Sequence, residues 1–340
     1  MSVSAPVVGN IGEHALISRI TSRLLAPPWV IVGPGDDAAV IEPERGMLEV
    51  LTTDAIVDGV HVDTRLMPAD AVGVRALAVN LSDLAAMGAR PRGALLSLAL
   101  PANLAVAALD AIVGGLLHVA GTHRVAVLGG NVTRTPGPLQ IHITAIGTVG
   151  RRRILRREGA RPGDEVYVTG TLGAAAAGLE MLQAAPAPGW DAPTRTFAAA
   201  ERRYLYPEAR LQAGLQLSLN RAATSCVDLS DGLADGVRQI AQASGVGMII
   251  DGSALPIDAT VRLWLEAHGQ HPVDAAVSGG DDYELLFTVR PSQGRRLRGV
   301  RARLGDLPIT RIGRVTRSDE LLVVDERGSR PLPVGYEHFR

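Results

Sequence analysis

The residues of this sequence best suited to chemistry are carboxylates, which occur in short clusters between apolar stretches. The main clusters are Gly35-Asp36-Asp37, Thr52-Thr53-Asp54 and Asp228-Leu229-Ser230-Asp231. Asp83 differs from them, because it is a lone carboxylate among small apolar residues in the stretch Val79–Pro91. Carboxylate and hydroxyl oxygens are ligands that Mg²⁺ prefers. We expect the three clusters to gather around Asp83; the alternative is that Asp83 lies on a solvated helix face.

Each cluster also has an ordinary structural explanation. Aspartates accept local hydrogen bonds in turns such as Gly33-Pro34-Gly35, threonines favour strands, and Asp231 could cap the helix that follows it. The adjacent charges of Asp36 and Asp37 favour a cation, because like charges raise each other's pKa unless a cation offsets them. Asp228 is harder to explain structurally, because it ends an apolar strand.

The element that must position Asp83 is a helix beginning near Ala69. Apolar residues at helical spacing fall on one face of it, and Gly88 and Pro91 then end it. These apolar residues are Leu77, Leu81, Leu84 and Met87. The other clusters are predicted to lie at strand ends, after Trp29–Val32, Leu48–Thr53 and Ser225–Leu229.

Two glycine pairs are also predicted to lie at strand ends, where glycine lets another group approach the backbone closely. Gly129-Gly130-Asn131 follows the strand Val125–Leu128, and Ser278-Gly279-Gly280-Asp281-Asp282-Tyr283-Glu284 precedes the strand Leu285–Val289. Thr171-Leu172-Gly173 opens a helix, Ala174–Leu182, whose N-terminus could hold an anion. An ordinary strand-to-helix connection is the preferred reading there. One or two arginines of the link Gly150–Arg161 could reach a nucleotide phosphate, although such a charge run is usually solvated.

Composition bounds the function. The 340 residues predict two domains, and the net charge of −1 argues against a nucleic-acid partner. All 34 basic residues are arginines, which excludes a Walker-A or Schiff-base lysine. The lone Cys226 rules out intramolecular disulfides, and we expect no membrane span and no secretory signal. The expectation is a cytoplasmic Mg–nucleotide enzyme that lacks a P-loop.

Five motifs resemble those of thiamine-monophosphate kinases. They are G-P-G-D-D-A-A-V-I, T-T-D-A-I-V-D-G-V-H, A-V-N-L-S-D-L-A-A-M-G-A-R-P, D-L-S-D-G-L and S-G-G-D-D-Y-E-L-L-F. The resemblance runs from Gly12 to the tail Gly335–Phe339. That family belongs to a superfamily with aminoimidazole-ribonucleotide synthetase, selenophosphate synthetase and a hydrogenase-maturation protein.

The resemblance implies an activity and a set of site residues. ATP and thiamine monophosphate would give ADP and thiamine diphosphate, with Asp54, Asp83 and Asp228 as catalytic residues. The implied ligands of several Mg²⁺ ions are Asp36, Asp37, Thr52, Thr53, Asp54, Asp83, Asn131, Asp228 and Asp231. Nucleotide contacts are implied for Gly130, Asn131, Arg157 and Ser230. Thiamine-phosphate contacts are implied for His61, Asp281 and Tyr336, although a lone histidine such as His61 is more often structural.

The resemblance also implies a two-domain α+β or α/β fold that forms a homodimer. Residues 1–150 would be an ATP- and Mg-binding sheet domain that pairs into a barrel across the dimer, and residues 151–340 a layered α/β domain. Two positions depart from the family pattern. Asn131 stands where the family has a metal-binding aspartate, so a weaker or absent ion is expected there. Asp281 stands where the family usually has glutamate, which shortens the reach toward substrate by one methylene.

The expected chemistry is direct in-line transfer without a phosphoenzyme, because no serine or cysteine is placed with a histidine to form a nucleophile. Two other functions stay open. A sister enzyme of the superfamily could use ATP to activate a different acceptor. A catalytically weak nucleotide-binding partner is the second alternative, and Asn131 is the reason to consider it.

Overall fold

The computed structural model describes residues 5–184 and 198–333. These residues form a two-domain α+β protein that divides into two compact units. The first unit contains the residues up to Leu81 together with Pro91–Thr148. The second contains Ser82–Arg90, Val149–Ala184 and the described residues from 198 onward. The domain boundary predicted near residue 150 stays a prediction.

The first unit is built on a four-stranded sheet with the strand order β3-β6-β4-β5. Its strands are β3 (Leu48–Val57), β4 (Arg90–Pro101), β5 (Ala126–Thr135) and β6 (Gln140–Val149). β4 and β5 are parallel, with Gly93 opposite Ala126. A separate antiparallel pair consists of β1 (Val30–Val32) and β2 (Val40–Ile41).

The helices of the first unit are α1 (Glu13–Thr21), α2 (Ala69–Ala86) and α3 (Val106–His123), and the residues of α2 from Ser82 onward belong to the second unit. α2 and α3 pack backbone to backbone, since a Cβ atom on Gly73 would lie 1.8 Å from the carbonyl oxygen of Ile112. As predicted, α2 begins at Ala69, and Leu77, Leu81 and Leu84 are fully buried on one face. Within the described residues, α3 alone is long and apolar enough to cross a membrane by length and composition, and half of it is buried, as in a core helix.

The second unit is built on a seven-stranded mixed sheet with the strand order β13-β12-β9-β11-β7-β10-β8. Its strands are β7 (Glu165–Thr169), β8 (Ser225–Asp228), β9 (Gly247–Asp251), β10 (Leu285–Val289), β11 (Ile309–Thr316), β12 (Leu321–Asp325) and β13 (Gly328–Pro331). Its helices are α4 (Ala174–Ala184), α5 (Ala199–Leu205), α6 (Leu211–Asn220), α7 (Leu233–Ser244), α8 (Ala259–Ala267), α9 (Pro272–Ser278) and α10 (Gly294–Leu304). The core between sheet and helices is aliphatic, with Val168, Ile250 and Leu286 fully buried.

Two predicted strand ends are wrong, and both concern candidate site residues. β3 continues past Thr53 to Val57, so Thr52-Thr53-Asp54 lies inside a strand. β5 continues through Gly129 and Gly130 to Thr135, because its backbone stays paired with β4 across a register shift at Ala94 and Leu95. Glycine and acidic residues therefore do not end a strand when backbone hydrogen bonds to the neighbouring strand continue past them.

Candidate functional site

A cleft in the first unit brings together two of the sequence-predicted motifs. It has a volume of about 1050 Å³ and is lined by Gly33–Ala39 from the turn after β1, together with Gly129–Val132 of β5. Asp36 and Asp37 are exposed there, as are Gly130 and Asn131. The Asp37 backbone N–H donates to Asp36 Oδ1 at 2.8 Å, which shapes the acidic turn. The cleft therefore offers carboxylate and amide oxygens beside exposed strand backbone.

The strand β3 divides its three candidate ligands between two faces. Thr53 Oγ1 donates to the Ile143 carbonyl at 3.0 Å and accepts from Thr144 Oγ1 at 3.2 Å. Because side chains alternate along a strand, Thr52 and Asp54 point to the opposite face from Thr53. The Asp54 backbone N–H donates to Asn80 Oδ1 of α2 at 3.1 Å. A single helix side chain therefore fixes the strand at the position of this carboxylate.

His61 lies in the loop that follows β3 and is half-buried. Its Nδ1 accepts a hydrogen bond from the Val57 backbone N–H at 3.2 Å. The same loop is closed by Asp58, which accepts from the backbone N–H and hydroxyl of Thr64, both at 3.0 Å. The imidazole is thus held in a defined orientation by its own loop.

In the second unit, the helix residue Ser82 bonds directly to the strand-end carboxylate Asp228. Ser82 Oγ donates to Asp228 Oδ2 at 2.7 Å, and both residues are buried. Burial and, to a lesser extent, the nearby charge of Asp83 raise the pKa of Asp228 to about 7. Arg157 acts in the opposite direction on the same pKa, which places its guanidinium in the neighbourhood of Asp228.

A buried carboxylate beside a second carboxylate is an arrangement that a bound cation stabilises. Across residues 5–184 and 198–333, no three His, Cys, Asp or Glu side chains form a metal-binding group. Mg²⁺ commonly keeps several waters and substrate phosphate oxygens and needs only one or two protein carboxylates. The pair Asp83 and Asp228 fits such an ion.

The segments around Asp228 and Asp281 are joined through their backbones. The Asp281 N–H donates to the Ser230 carbonyl at 2.7 Å, and the Tyr283 N–H donates to the Leu229 carbonyl at 2.9 Å. Asp231 is half-buried and accepts from Ser230 Oγ at 3.2 Å. It does not cap α7, because Gly232 occupies the cap position. Two motifs that are about 50 residues apart in sequence therefore form one structural unit.

The N-terminus of α4 is already occupied by a carboxyl group from this chain. The buried Asp282 carboxylate accepts from the backbone N–H groups of Gly173 at 2.7 Å and Ala175 at 3.3 Å. Burial raises the pKa of Asp282 to about 7. This helix end is thus an internal contact, in keeping with the preferred reading of Thr171-Leu172-Gly173 as an ordinary connection.

Sequence reasoning assigned no role to Glu284, Arg203 or Arg210, which form a buried ion-pair network beside the same turn. Glu284 was recognisable as a charged residue at the start of an apolar strand, whereas the two arginines carried no signal. Tyr336, predicted to contact substrate, lies outside the described residues.

Comparisons with known proteins now connect these geometries to a family. The models named AIR synthase related protein, N-terminal domain and C-terminal domain, match residues 35–149 and 161–326. The thiamine-monophosphate kinase of Bacillus subtilis is 35% identical, covering 96% of this chain and 99% of its own length. The chain belongs to the thiamine-monophosphate kinase family. The Escherichia coli K12 member of that family is 38% identical, covering 96% of this chain and 98% of its own length.

Solved structures of thiamine-monophosphate kinases share the fold over nearly the whole chain. The Stenotrophomonas maltophilia enzyme has a TM-score of 0.81 at 39% identity, covering 92% of this chain and 96% of that one. AaThiL complexed with AMPPCP and TMP has a TM-score of 0.75 at 32% identity, and the match covers 99% of this chain and 100% of that one. Hydrogenase maturation protein HypE, at 19% identity and a TM-score of 0.75, shares the fold alone.

Proposed function

We propose that this chain transfers the γ-phosphoryl group of ATP to thiamine monophosphate. A phosphate oxygen of thiamine monophosphate forms a bond to the γ-phosphorus while the bond to the bridging oxygen of ADP breaks. The products are thiamine diphosphate and ADP. The observation that carries this proposal is the full-length likeness to thiamine-monophosphate kinases, one of which was solved with AMPPCP and TMP.

The proposed mechanism needs no general base. A phosphate monoester has a second pKa near 6, so the acceptor is mostly a dianion at pH 7. The main obstacle is repulsion between two polyanions, and bound Mg²⁺ would supply the positive charge that offsets it. Asp83 and Asp228 of the second unit would hold such an ion, as would Asp37 and Asp54 of the first. The carboxylates thereby contribute by positioning charge, and they take no part in covalent chemistry.

The remaining site residues have proposed roles in the same reaction. In the first unit, Asp36, Thr52, Thr53 and Asn131 would complete the oxygen ligands for Mg²⁺, and Asp231 would do so in the second. Gly130, Asn131, Arg157 and Ser230 contact the nucleotide. His61, Asp281 and Tyr336 contact thiamine monophosphate. Asn131 brings oxygen without charge, so the ion beside it is held more weakly than by a carboxylate.

We further propose that the chain works in the cytoplasm as a homodimer whose first units pair their sheets into a barrel. Most of the large exposed apolar side chains among the described residues lie in the first unit, which supports this proposal. Leu51 on β3 is 65% exposed, and Ile31 and Val40 on the β1–β2 pair are 62% and 49% exposed. Leu51→Glu is expected to shift the sedimentation equilibrium toward monomer. Leu263→Glu, at a 66% exposed position in the second unit, should leave it unchanged.

One assay tests the kinase proposal. Purified protein is incubated with Mg-ATP and thiamine monophosphate, and thiamine diphosphate and ADP are quantified. Equal formation of both products is expected. ADP without thiamine diphosphate would favour a sister enzyme with another acceptor, and nucleotide binding without either product would favour a binding partner. Rapid-quench measurement with labelled ATP tests the in-line step, because radiolabel trapped on the protein would contradict it.

A further inference from the structure

The turn that carries Asp281 ends in a buried carboxylate whose hydrogen bonds are all made to one small set of residues. Glu284 has no exposed side-chain surface. Its Oε1 accepts from Arg203 at 2.7 Å and from Arg210 at 2.6 Å. Its Oε2 accepts from Thr169 Oγ1 at 2.6 Å and from Arg210 Nε at 2.7 Å. Arg210 therefore forms a bidentate pair with the carboxylate, an arrangement that is geometrically specific.

Arg203 also reaches the turn itself. Its guanidinium donates to the Asp282 carbonyl at 3.1 Å as well as to Glu284. Arg203 lies on α5, and a Cβ atom on Gly178 of α4 would be 2.0 Å from the Ala200 carbonyl, so the two helix backbones touch. The guanidinium thus extends from a fixed helix to the peptide between Asp282 and Tyr283.

This turn needs external support because its backbone is strained. Asp281 and Tyr283 have φ values of 67° and 50°, in the left-handed region that side chains other than glycine rarely adopt. Such conformations persist only where the surroundings hold them, and they cluster at ligand sites. The supports here are the two arginines on one side and the hydrogen bonds to Leu229 and Ser230 on the other.

We propose that Arg203 and Arg210, acting through Glu284 and the Asp282 carbonyl, are positioning residues for thiamine monophosphate. They hold Asp281 in the strained conformation in which it faces the acceptor, next to the Asp228–Asp231 segment. This inference rests on the proposed kinase function. It predicts that the two arginines affect the binding of the acceptor, thiamine monophosphate, and have little effect on the binding of ATP.

Arg203→Met is the most informative variant. It removes the donor to the Asp282 carbonyl, yet Glu284 keeps both donors of Arg210 and the hydroxyl of Thr169, so the buried carboxylate stays paired. We expect the KM for thiamine monophosphate to rise about tenfold. The KM for ATP should change less than about twofold, because Arg203 bonds to Asp282 and Glu284 and to none of the residues proposed to contact the nucleotide.

A matched control exists in the same unit. Asp274 also binds two arginines, Arg327 at 2.7 Å and Arg330 at 2.7 Å, on the exposed edge formed by α9 and β13. Arg327→Met likewise removes one of two guanidinium partners. It should leave both KM values unchanged, which would show that removing a guanidinium partner elsewhere in the unit does not alter the kinetics.

Arg210→Lys provides a second test should Arg203→Met fold poorly. It keeps the positive charge and loses the two-donor grip, so the same selective rise in the KM for thiamine monophosphate is expected. Thermal melting checks that each variant is folded. A selective rise in either folded variant supports the proposal. Equal changes in both KM values, or a lower melting temperature with unchanged kinetics, would overturn it. An inactive wild-type protein would instead refute the kinase function.

Discussion

The two units of the molecule differ in how deeply the carboxylates at and beside their candidate sites are buried. In the first unit, Asp36, Asp37, Asp54 and Asn131 are exposed. In the second, Asp228 is buried against Ser82, and Asp282 and Glu284 are buried in networks of donors. The candidate ligands of the first unit are therefore accessible to water. The three buried carboxylates of the second unit were removed from water when the chain folded.

This difference has a physical consequence for each unit. Exposed carboxylates have little effect on the free energy of folding, and they act mainly when an ion or a metal-bound phosphate binds. Burying a carboxylate destabilises the folded protein unless it is hydrogen-bonded or ion-paired. A substitution at such a residue therefore affects both the stability of the fold and the geometry of the site. Changes in the first unit should therefore act on ligand binding, and changes in the second on stability and catalysis together.

Glu284→Gln should lower the free energy of unfolding by about 3–5 kcal/mol, because it leaves two guanidinium groups without their buried counter-charge. Urea unfolding followed by circular dichroism measures this change. Asp110→Asn breaks the exposed Arg19–Asp110 ion pair of the first unit, and it should cost less than about 1 kcal/mol. Similar losses in both variants would contradict the contrast between buried and exposed carboxylates.

Asp83→Asn should lower kcat at least about 100-fold while the protein stays folded, since the charge that holds an ion beside Asp228 is lost. Product formation at saturating substrates gives kcat, and thermal melting checks the fold. Asp235→Asn, which alters a half-buried carboxylate bonded to Gln239, serves as the control and should retain activity. Near-normal turnover in Asp83→Asn would contradict the role in metal binding and favour the alternative that Asp83 is a solvated residue on a helix face.

The buried Asp282 should make stability depend on pH. Its pKa is about 7 in the folded protein and ordinary in the unfolded chain, so the folded state binds the extra proton between pH 4 and 7. Stability should fall as pH rises through this window, by about 2–4 kcal/mol for this group, and level off above it. Unfolding of metal-free protein between pH 4 and 8 tests this, and an unchanged slope in Asp282→Asn would refute it.

Asn131→Asp should lower the Mg²⁺ concentration for half-maximal activity by about threefold to tenfold, because a carboxylate adds charge that the amide lacks. Initial rates across a magnesium titration measure this. Asn10→Asp adds the same charge at another exposed position of the first unit and should have no effect. No shift in Asn131→Asp would show that residue 131 does not face an ion.

Several elements were predictable because local periodicity and tertiary packing agree. The helix predicted to begin near Ala69 begins there, and the strand Leu285–Val289 has both predicted ends. Predictions fell short where a neighbour decides the outcome. β3 and β5 extend past their expected ends because pairing continues, and α5 and α9 have only seven residues each, too few for a clear apolar period.

The candidate site divides in the same way. Carboxylate clusters, glycine pairs and the absence of lysine are properties of the sequence, and together with the family resemblance they predicted magnesium-dependent chemistry on a nucleotide. Which side chain meets which was decided by tertiary structure. The hydrogen bond between Ser82 and Asp228 joins residues 146 positions apart. Arg203 and Arg210 acquire their role only where α5 and the following loop bring them to Glu284.

Sequence patterns were enough to predict the kinds of ligand atom, the main helices and strands, and the family. Only the folded chain decided which carboxylates are desolvated and which remain exposed. The physical reason is that burial and partnership depend on contacts between distant segments, whereas periodicity and turn chemistry are local. Asp228 and Asp37 carry the same side chain, and their surroundings alone make one a buried acid with a pKa of about 7 and the other an exposed turn residue.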